Sequence, residues 1–201
     1  KSFYEHVISK KNKLNDYKSL VKLIIKVQKI KVKKYYKLGK FKVKFSKYSL
    51  NNLHKESDLF FDWYLKYFLK KKKISKIKKL LKVELNKIYK KLKFSNNTFV
   101  HRDFHVSNIM VKKKKLGLID SQDAIIGNPL YDVASLIDDV RIKLPNDLQN
   151  NLVHFYHKNA KLKKDEIENL KNDFDILSVQ RNLKILGIFV RLSIRDGKNN
   201  Y

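Results

Sequence analysis

Residues that interrupt regular secondary structure are scarce in this chain, which has five glycines and two prolines among 201 residues. Glycine and proline are the strongest local breakers of helices and strands, so their scarcity predicts that long helices dominate the fold. The first half repeats apolar residues at helical spacing. This spacing predicts three helices, over residues 17–30, 53–69 and 74–92. Between the first two, the basic and aromatic residues 31–48 show no period, and we interpret them as a loop with room for one short strand.

The pattern changes after residue 97, where short apolar stretches alternate with polar ones. Such short stretches are typical of strands. Helical spacing returns at Leu130, and Pro145 is suited to the first turn of a further helix. We predict strands over residues 98–100, 109–111 and 116–119, and helices over 130–137 and 145–160, from 165, and over 173–194.

These elements predict an α+β fold that is mostly helical with a small β-hairpin insert. A hydrophobic content of 43% is typical of a globular protein and argues against disorder. A length of 201 residues allows one domain with a substantial core. We therefore predict a single domain over residues 1–201, in which helical segments 1–94 and 130–196 flank a loop and hairpin at 98–124.

The formal net charge of +28 raises the question of a polyanionic partner. Only five of the 47 basic residues are arginine, the residue that reads phosphates and guanine edges most effectively. We favour solvated lysine faces, with a polyanion-binding module on the lysine-rich helix near 74–93 as the alternative. Cysteine is absent, no apolar run approaches the ~20 residues of a membrane span, and the N-terminus lacks a signal-peptide centre. We expect a cytoplasmic protein without a membrane or specific nucleic-acid partner.

One motif in the insert carries unusual chemistry. His101-Arg102-Asp103, with Asn108 five residues after the aspartate, fits the H-R-D-x-x-x-x-N catalytic loop of protein kinases. Phosphoryl transfer requires a carboxylate that accepts the proton of the attacking hydroxyl. It also requires oxygen ligands that hold a metal ion against the phosphates. Asp120, at the end of the stretch LGLID, is the candidate for the second carboxylate.

Hairpin geometry tests this spacing. If the hairpin is centred on Lys114 with residues 113–115 as its solvated tip, Met110 faces Leu118 and Asn108 faces Asp120. The two polar side chains would then lie together at the open end of the hairpin. The alternative is a chance match on an ordinary lysine-tipped hairpin.

Asp132 follows the insert in the stretch GNPLYD. A carboxylate at this place could accept hydrogen bonds from the backbone of residues 101–103. Its alternative role is that of an ordinary acidic residue in the first turn of a helix.

Several stretches resemble the aminoglycoside phosphotransferase/choline kinase-like superfamily, in particular the bacterial cell-wall amino-sugar kinases. They are LFFDWYLKYFL, HRDFHVSN, LGLIDSQDA, GNPLYDVASL and VQRNLKILGIFVRLSIRDGK, and the likeness is strongest over residues 99–139 and 179–198. The resemblance implies a protein-kinase-like C-terminal lobe and ATP- and Mg²⁺-dependent phosphorylation of a small-molecule hydroxyl. In the subgroup this is the anomeric hydroxyl of N-acetylmuramate or N-acetylglucosamine, in cell-wall recycling. An aminoglycoside, choline or another alcohol stays open as the acceptor.

The resemblance also implies roles for individual residues. Ser121 departs from the phenylalanine expected after the metal aspartate, at a position that packs rather than reacts. By position, Asp103 is the catalytic base, Asn108 and Asp120 bind Mg²⁺, His101 and Asp132 support the loop, and His105, Gln122, Asp123 and Arg195 are candidate substrate contacts.

Members of this superfamily carry a β-rich N-terminal lobe with a phosphate-covering hairpin and a phosphate-binding lysine. None of the five glycines here lies in a glycine-rich loop, and the residues before Tyr17 leave no room for such a lobe. The chain also begins with Lys1 rather than methionine. We therefore expect a C-terminal lobe that is inactive alone, with an N-terminal lobe that is truncated or supplied separately.

Overall fold

The computed structural model describes residues 1–33, 35–113 and 115–198, and this part of the chain is mostly helical with short antiparallel strands. The α-helices are α1 (Phe3–Val7), α2 (Leu14–Gln28), α3 (Leu50–Leu59), α4 (Lys66–Phe68), α5 (Lys71–Tyr89), α6 (Leu130–Ile137), α7 (Asn146–Asn159) and α8 (Ile167–Asp196). The strands are β1 (Tyr36–Leu38), β2 (Phe41–Val43), β3 (Thr98–Val100), β4 (Ile109–Lys112), β5 (Lys115–Leu118) and β6 (Ile125–Gly127). No helix in the described ranges is both long and apolar enough to cross a membrane.

The chain divides into two compact units, each built from two stretches of sequence. Unit 1 comprises Lys1–Tyr48 and Lys93–Phe174, and unit 2 comprises Ser49–Leu92 and Asp175–Tyr201. All candidate site residues except Arg195 belong to unit 1. That the chain acts as one domain stays a prediction.

The helices expected from apolar spacing are confirmed. In unit 1, α2 covers most of the predicted stretch 17–30 and buries its periodic residues, among them Tyr17, Leu20 and Ile24. In unit 2, the predicted helix 53–69 is present as α3, a π-helical segment at Phe60–Leu65, and α4. A capping box between Ser49 and Asn52 fixes the start of α3, because each residue satisfies a free backbone N–H of the other.

The two helices expected from residue 165 and over 173–194 form one continuous element, so the predicted break between them is wrong. A 3₁₀ turn at Lys164–Glu166 leads directly into the 30-residue α8. No glycine or proline interrupts the chain there until Gly187. Gly187 is tolerated inside the helix because it allows a close approach: a Cβ at this position would lie 2.2 Å from the carbonyl carbon of Leu59.

Two strand predictions were incomplete. The stretch interpreted as a loop contains the β1–β2 hairpin, and β6, which sequence analysis missed, pairs with β3. The segment after β2 extends this second sheet. Ser46 accepts the Ile126 N–H at 3.0 Å, and Tyr48 donates its N–H to the Ile126 carbonyl at 2.7 Å.

The predicted register of the β4–β5 hairpin is wrong by one residue. Met110 faces Gly117 rather than Leu118, and Lys112 faces Lys115. Two residues therefore connect the strands, a loop length that suits the twist of hairpins better than the predicted three-residue tip. The predicted centre, Lys114, lies outside the described residues. As a result Ile119 rather than Asp120 lies opposite Asn108, to whose carbonyl it donates its N–H at 3.0 Å.

Candidate active site

The loop that follows β3 carries the kinase-like motif and is anchored by buried rings. Val100, His101 and Phe104 are fully buried, and the His101 ring meets the Phe104 ring edge-on at 6.2 Å between centroids. Phe104 thus fixes the middle of the motif in the core of unit 1. Asp103, between the two rings in sequence, is only half-buried. The buried rings on either side therefore fix the backbone of Asp103, while its side chain stays partly exposed.

Asp132 holds the backbone of this loop from α6. Its buried carboxylate accepts the N–H of His101 at 2.8 Å and the N–H of Arg102 at 3.0 Å. These are the hydrogen bonds expected from the sequence, and hydrogen bonds to a charged acceptor are the stronger kind. That they support a catalytic loop stays a prediction.

Arg102 adopts a backbone conformation that costs free energy. Its φ of 73° lies in the left-handed region, which costs a residue with a side chain roughly 1–2 kcal/mol. The Asp132 carboxylate and a 3.3 Å hydrogen bond from Arg102 Nη1 to the Asp123 carbonyl oppose this cost. Strain of this kind clusters at functional sites, where surrounding contacts hold the chain in place.

Asn108 folds back onto the backbone of Asp103. The side-chain Nδ2 of Asn108 donates to the Asp103 carbonyl at 3.1 Å, and the same carbonyl accepts the His105 N–H at 3.1 Å. The Asn108 backbone N–H donates to the His105 carbonyl at 2.9 Å. Because the amide nitrogen of Asn108 is used inside the loop, its Oδ1 is the atom available to bind a cation.

Asp120 follows the end of β5 in a left-handed conformation, with φ 60° and ψ 47°. It is exposed, and its backbone lies one residue past the partner of Asn108. The side-by-side pairing predicted from the hairpin is therefore absent, and a left-handed turn determines the course of the chain at Asp120 instead. Aspartate is among the few residues with a side chain that tolerate this conformation.

The charges of both candidate carboxylates, Asp103 and Asp120, influence the pKa of the buried His101 imidazole. Burial lowers the pKa of the His101 imidazole, whereas contacts with the backbone of Ile119 and Asp103 and the charges of Asp103 and Asp120 raise it. The net direction is downward. The two carboxylates favour the protonated ring, but burial outweighs them and favours the neutral form.

Asn108 and Asp120 fit a magnesium ion by the chemistry of their donors. Mg²⁺ prefers oxygen ligands and is usually held by one or two carboxylates together with the phosphates of the substrate. Within residues 1–33, 35–113 and 115–198 no group of three or more metal-binding His, Cys, Asp or Glu side chains occurs. A site completed by a nucleotide is consistent with this donor set.

The candidate substrate contacts fall in two places. In unit 1, Ser121–Asp123 forms a 3₁₀ turn, and Gln122, Asp123 and Arg102 line a cleft of about 420 Å³ opposite Lys44 and Ser46. His105 is half-buried in the catalytic-type loop.

Arg195 belongs to unit 2, where its Nε lies 2.7 Å from an oxygen of the Asp196 carboxylate. This hydrogen bond raises the pKa of the Arg195 guanidinium and lowers that of the Asp196 carboxyl. Its assignment to a substrate pocket stays a prediction.

A buried link behind the loop was not predicted from the sequence. Asp173 is fully buried, and its carboxylate accepts the N–H groups of Lys93 and Phe94 at 2.8 and 2.9 Å and the Asn128 Nδ2 at 2.7 Å. Asn128 in turn accepts the Leu130 N–H at 2.9 Å, at the start of α6. The link therefore ties the chain before β3 to the helix that carries Asp132. An asparagine just before a helix was the signal available, since it is a common N-terminal cap.

Comparisons with known proteins identify the family of the chain. A family model described as "Phosphotransferase enzyme family" matches residues 31–167. The chain is 31% identical over 158 residues to the N-acetylmuramate/N-acetylglucosamine kinase of Neisseria meningitidis serogroup B, an alignment covering 77% of this chain and 47% of that protein. It is 32% identical over 153 residues to the protein of the same name in Pseudomonas aeruginosa, covering 74% of this chain and 45% of that protein.

The chain thus spans somewhat less than half the length of these curated relatives. The family match includes the His101–Asn108 loop, Asp120 and Asp132, and it extends over more than half of the chain. This chain belongs to the phosphotransferase enzyme family.

Proposed function

We propose that the full-length protein transfers a phosphoryl group from ATP to a small-molecule hydroxyl, with the anomeric hydroxyl of an amino sugar as acceptor. The observation that carries the proposal is the Asp103–Asn108 loop, held by Asp132 and followed by Asp120. The names of the relatives support the acceptor class. A place in the cytoplasm and in cell-wall recycling stays a prediction.

Asp103 would act as the base. A half-buried carboxylate beside a neutral imidazole can orient a hydroxyl and take its proton as the hydroxyl attacks the phosphorus atom. The hydrogen bonds to the Asp103 carbonyl fix the backbone at the position where this orientation matters. A general base contributes roughly 10²–10⁴-fold to the rate of such a reaction.

Asn108 Oδ1 and the Asp120 carboxylate would hold Mg²⁺. When bound, the ion neutralises charge on the phosphate oxygens. Of the two proposed ligands, Asn108 is held in place by the hydrogen bond from its side-chain amide to the Asp103 carbonyl. The other, Asp120, is exposed to solvent. This arrangement suits an ion that arrives with its nucleotide rather than one that resides permanently in the protein.

The first experiment replaces the base in the full-length protein. Asp103→Asn keeps the side-chain shape but cannot accept the proton, so we expect kcat for N-acetylmuramate to fall by about 10²–10⁴-fold while the nucleotide still binds. Asp147→Asn is the matched control, because Asp147 is an exposed aspartate in the first turn of α7. Turnover by Asp103→Asn equal to that of the control would contradict the mechanism.

The acceptor is tested separately with a panel of hydroxyl compounds. Phosphorylation of N-acetylmuramate or N-acetylglucosamine is expected, and a clear preference for an aminoglycoside, choline or another alcohol would replace the amino-sugar assignment. We also propose that residues 1–201 form the C-terminal lobe and turn over no acceptor alone, since the alignments cover less than half of the matched relatives. Appreciable activity of this stretch in isolation would contradict the lobe assignment.

A binding module for polyanions is the competing class. The lysines of α5 motivate it. It predicts DNA or RNA binding whose affinity falls steeply with salt and persists at physiological salt. Such binding together with an absence of kinase activity would favour the module.

A further inference from the structure

A basic cleft in unit 1 has no role in the site described so far. It has a volume of about 1050 Å³, and five lysines line it: Lys29, Lys31, Lys33, Lys44 and Lys47. No aspartate or glutamate is among the lining residues that the structure describes. A concave surface lined by charges of one sign concentrates the field and attracts ions of the opposite sign.

The floor of this basic cleft is apolar and well packed. Phe45 and Phe99 line it, and their ring centroids lie 6.0 Å apart. Phe99 belongs to β3, the strand that leads directly into the catalytic-type loop. The cleft therefore offers lysine side chains above an aromatic surface, which suits an anion carried on a carbon skeleton better than a bare inorganic ion.

The wall that carries Lys44 and Lys47 is held in place by backbone hydrogen bonds. Ser46 and Tyr48 bond Ile126 at 3.0 and 2.7 Å, so this wall runs beside β6. The lysine side chains themselves are exposed, and none of the five forms an ion pair with a carboxylate in the part of the chain that the structure describes. Their charges are thus available to a ligand.

The basic cleft and the smaller cleft beside the candidate active site share one wall. The residues 44–46 line both. The smaller cleft is also lined by Arg102, next to the proposed base, and by Gln122 and Asp123, which lie two and three residues beyond the proposed metal ligand Asp120. A sugar held by Gln122 and Asp123 would therefore direct a substituent past Lys44 into the basic cleft.

We propose that the basic cleft binds a carboxylate substituent of the acceptor, so that the protein prefers acidic amino sugars over neutral ones. This inference rests on the proposed function. N-Acetylmuramate carries a lactyl carboxylate that N-acetylglucosamine lacks, and the two sugars otherwise share the same ring. Lys44 is the specificity residue that lies at the junction of both clefts, and Lys47 reinforces it.

The test measures binding rather than turnover, by calorimetry of the full-length protein with each sugar in the absence of nucleotide. We expect wild type to bind N-acetylmuramate on the order of tenfold more tightly than N-acetylglucosamine. Lys44→Gln/Lys47→Gln should lose most of this preference by weakening N-acetylmuramate binding only. Raising the salt from about 0.05 to about 0.5 M should shrink the preference of wild type, because exposed charges are screened.

The matched control is Lys112→Gln/Lys115→Gln, which removes the same charge from the two exposed lysines that face each other near the tip of the β4–β5 hairpin. It should keep the preference. Equal affinities of wild type for the two sugars, or an equal loss of preference in both double variants, would overturn the inference. So would a raised KM for ATP in Lys44→Gln/Lys47→Gln with the sugar preference intact, since the lysines would then serve the nucleotide.

The two proposals fail in different ways. If wild type phosphorylates neither sugar but still binds N-acetylmuramate through Lys44 and Lys47, the proposed function fails and the carboxylate site stands. If both sugars are phosphorylated and the lysine variants leave their relative affinity unchanged, the function stands and the carboxylate site fails.

Discussion

Replacing Asp132 by asparagine tests how the loop of the candidate site is held. The substitution keeps the size of the side chain and one of its two acceptor oxygens. It also places an amide NH₂ group against the backbone N–H of His101 or Arg102, both of which the carboxylate accepts in the native chain. One backbone donor of the loop is then left without an acceptor in a buried position.

The expected loss follows from these two bonds. A hydrogen bond to a charged group contributes about 1.5–3 kcal/mol, and a buried donor left unsatisfied costs about 1–3 kcal/mol. We therefore expect Asp132→Asn to lower the free energy of unfolding by about 2–4 kcal/mol. The left-handed conformation of Arg102 adds to the effect, because it loses a contact that holds it and relaxation would move the adjacent Asp103.

Activity should suffer more than substrate binding. A displacement of the base by about 1 Å can cost on the order of 10²-fold in rate, so kcat of the full-length protein should fall while KM for the acceptor changes little. The measurements are urea unfolding, with the slope m checked against wild type, and steady-state kinetics.

Asp147→Asn provides the control for this prediction. Asp147 and Asp132 both lie in the first turn of a helix, so they share the favourable interaction with the helix dipole. That interaction contributes about 0.3–1 kcal/mol, which is all that the control should lose. If Asp132→Asn loses no more stability than Asp147→Asn, the carboxylate does not hold the loop and the reasoning is refuted.

Two further predictions concern stability away from the site. Gly187→Ala should destabilise the protein by about 1–3 kcal/mol in urea unfolding, because the new Cβ overlaps the backbone of Leu59. The control is Gly117→Ala, whose Cβ meets nothing within 4 Å and which should change stability by less than about 1 kcal/mol. Equal effects of the two substitutions would contradict the close approach of Gly187 to Leu59. Burial raises the pKa of Asp16, but hydrogen bonds from Lys10 and a neighbouring histidine outweigh it and leave that pKa below its ordinary value. Asp16→Asn should therefore cost up to about 1 kcal/mol at neutral pH, and the difference from wild type should shrink as the pH falls through the lowered pKa of Asp16. A difference that does not change with pH would refute the assignment.

The sequence predicted the helices and the position of the loop because both depend on local spacing. Apolar residues at helical intervals locate α2 and α5, and the motif from His101 to Asn108 carries its residue types within eight positions. Even the contact between Asp132 and the loop could be expected, since a carboxylate early in the next helix is well placed to meet free N–H groups. In each of these cases the interacting residues are close in sequence or are positioned by a helix.

The hairpin register failed for a physical reason. Four consecutive lysines span the turn, and nothing in four identical side chains indicates whether two or three of them connect the strands. A slip of one residue exchanges the two faces of a strand, so the predicted pairing of Asn108 with Asp120 could not survive it. The left-handed turn at Asp120 was equally hidden, because aspartate adopts this conformation only occasionally and no glycine marks the position.

The buried link through Asp173 shows why contacts that are distant in sequence matter most for the site. Asp173 lies 80 residues after Lys93, whose N–H its carboxylate accepts, and no periodic pattern relates the two positions. The same carboxylate accepts the Asn128 amide, whose oxygen accepts the N–H of Leu130 at the start of α6, and α6 carries Asp132. The stretch before β3 and the helix that fixes the catalytic-type loop are thus tied to one buried carboxylate, whose removal would leave several donors unsatisfied. The position of the proposed base therefore depends on a residue outside the motif by which the site is recognised.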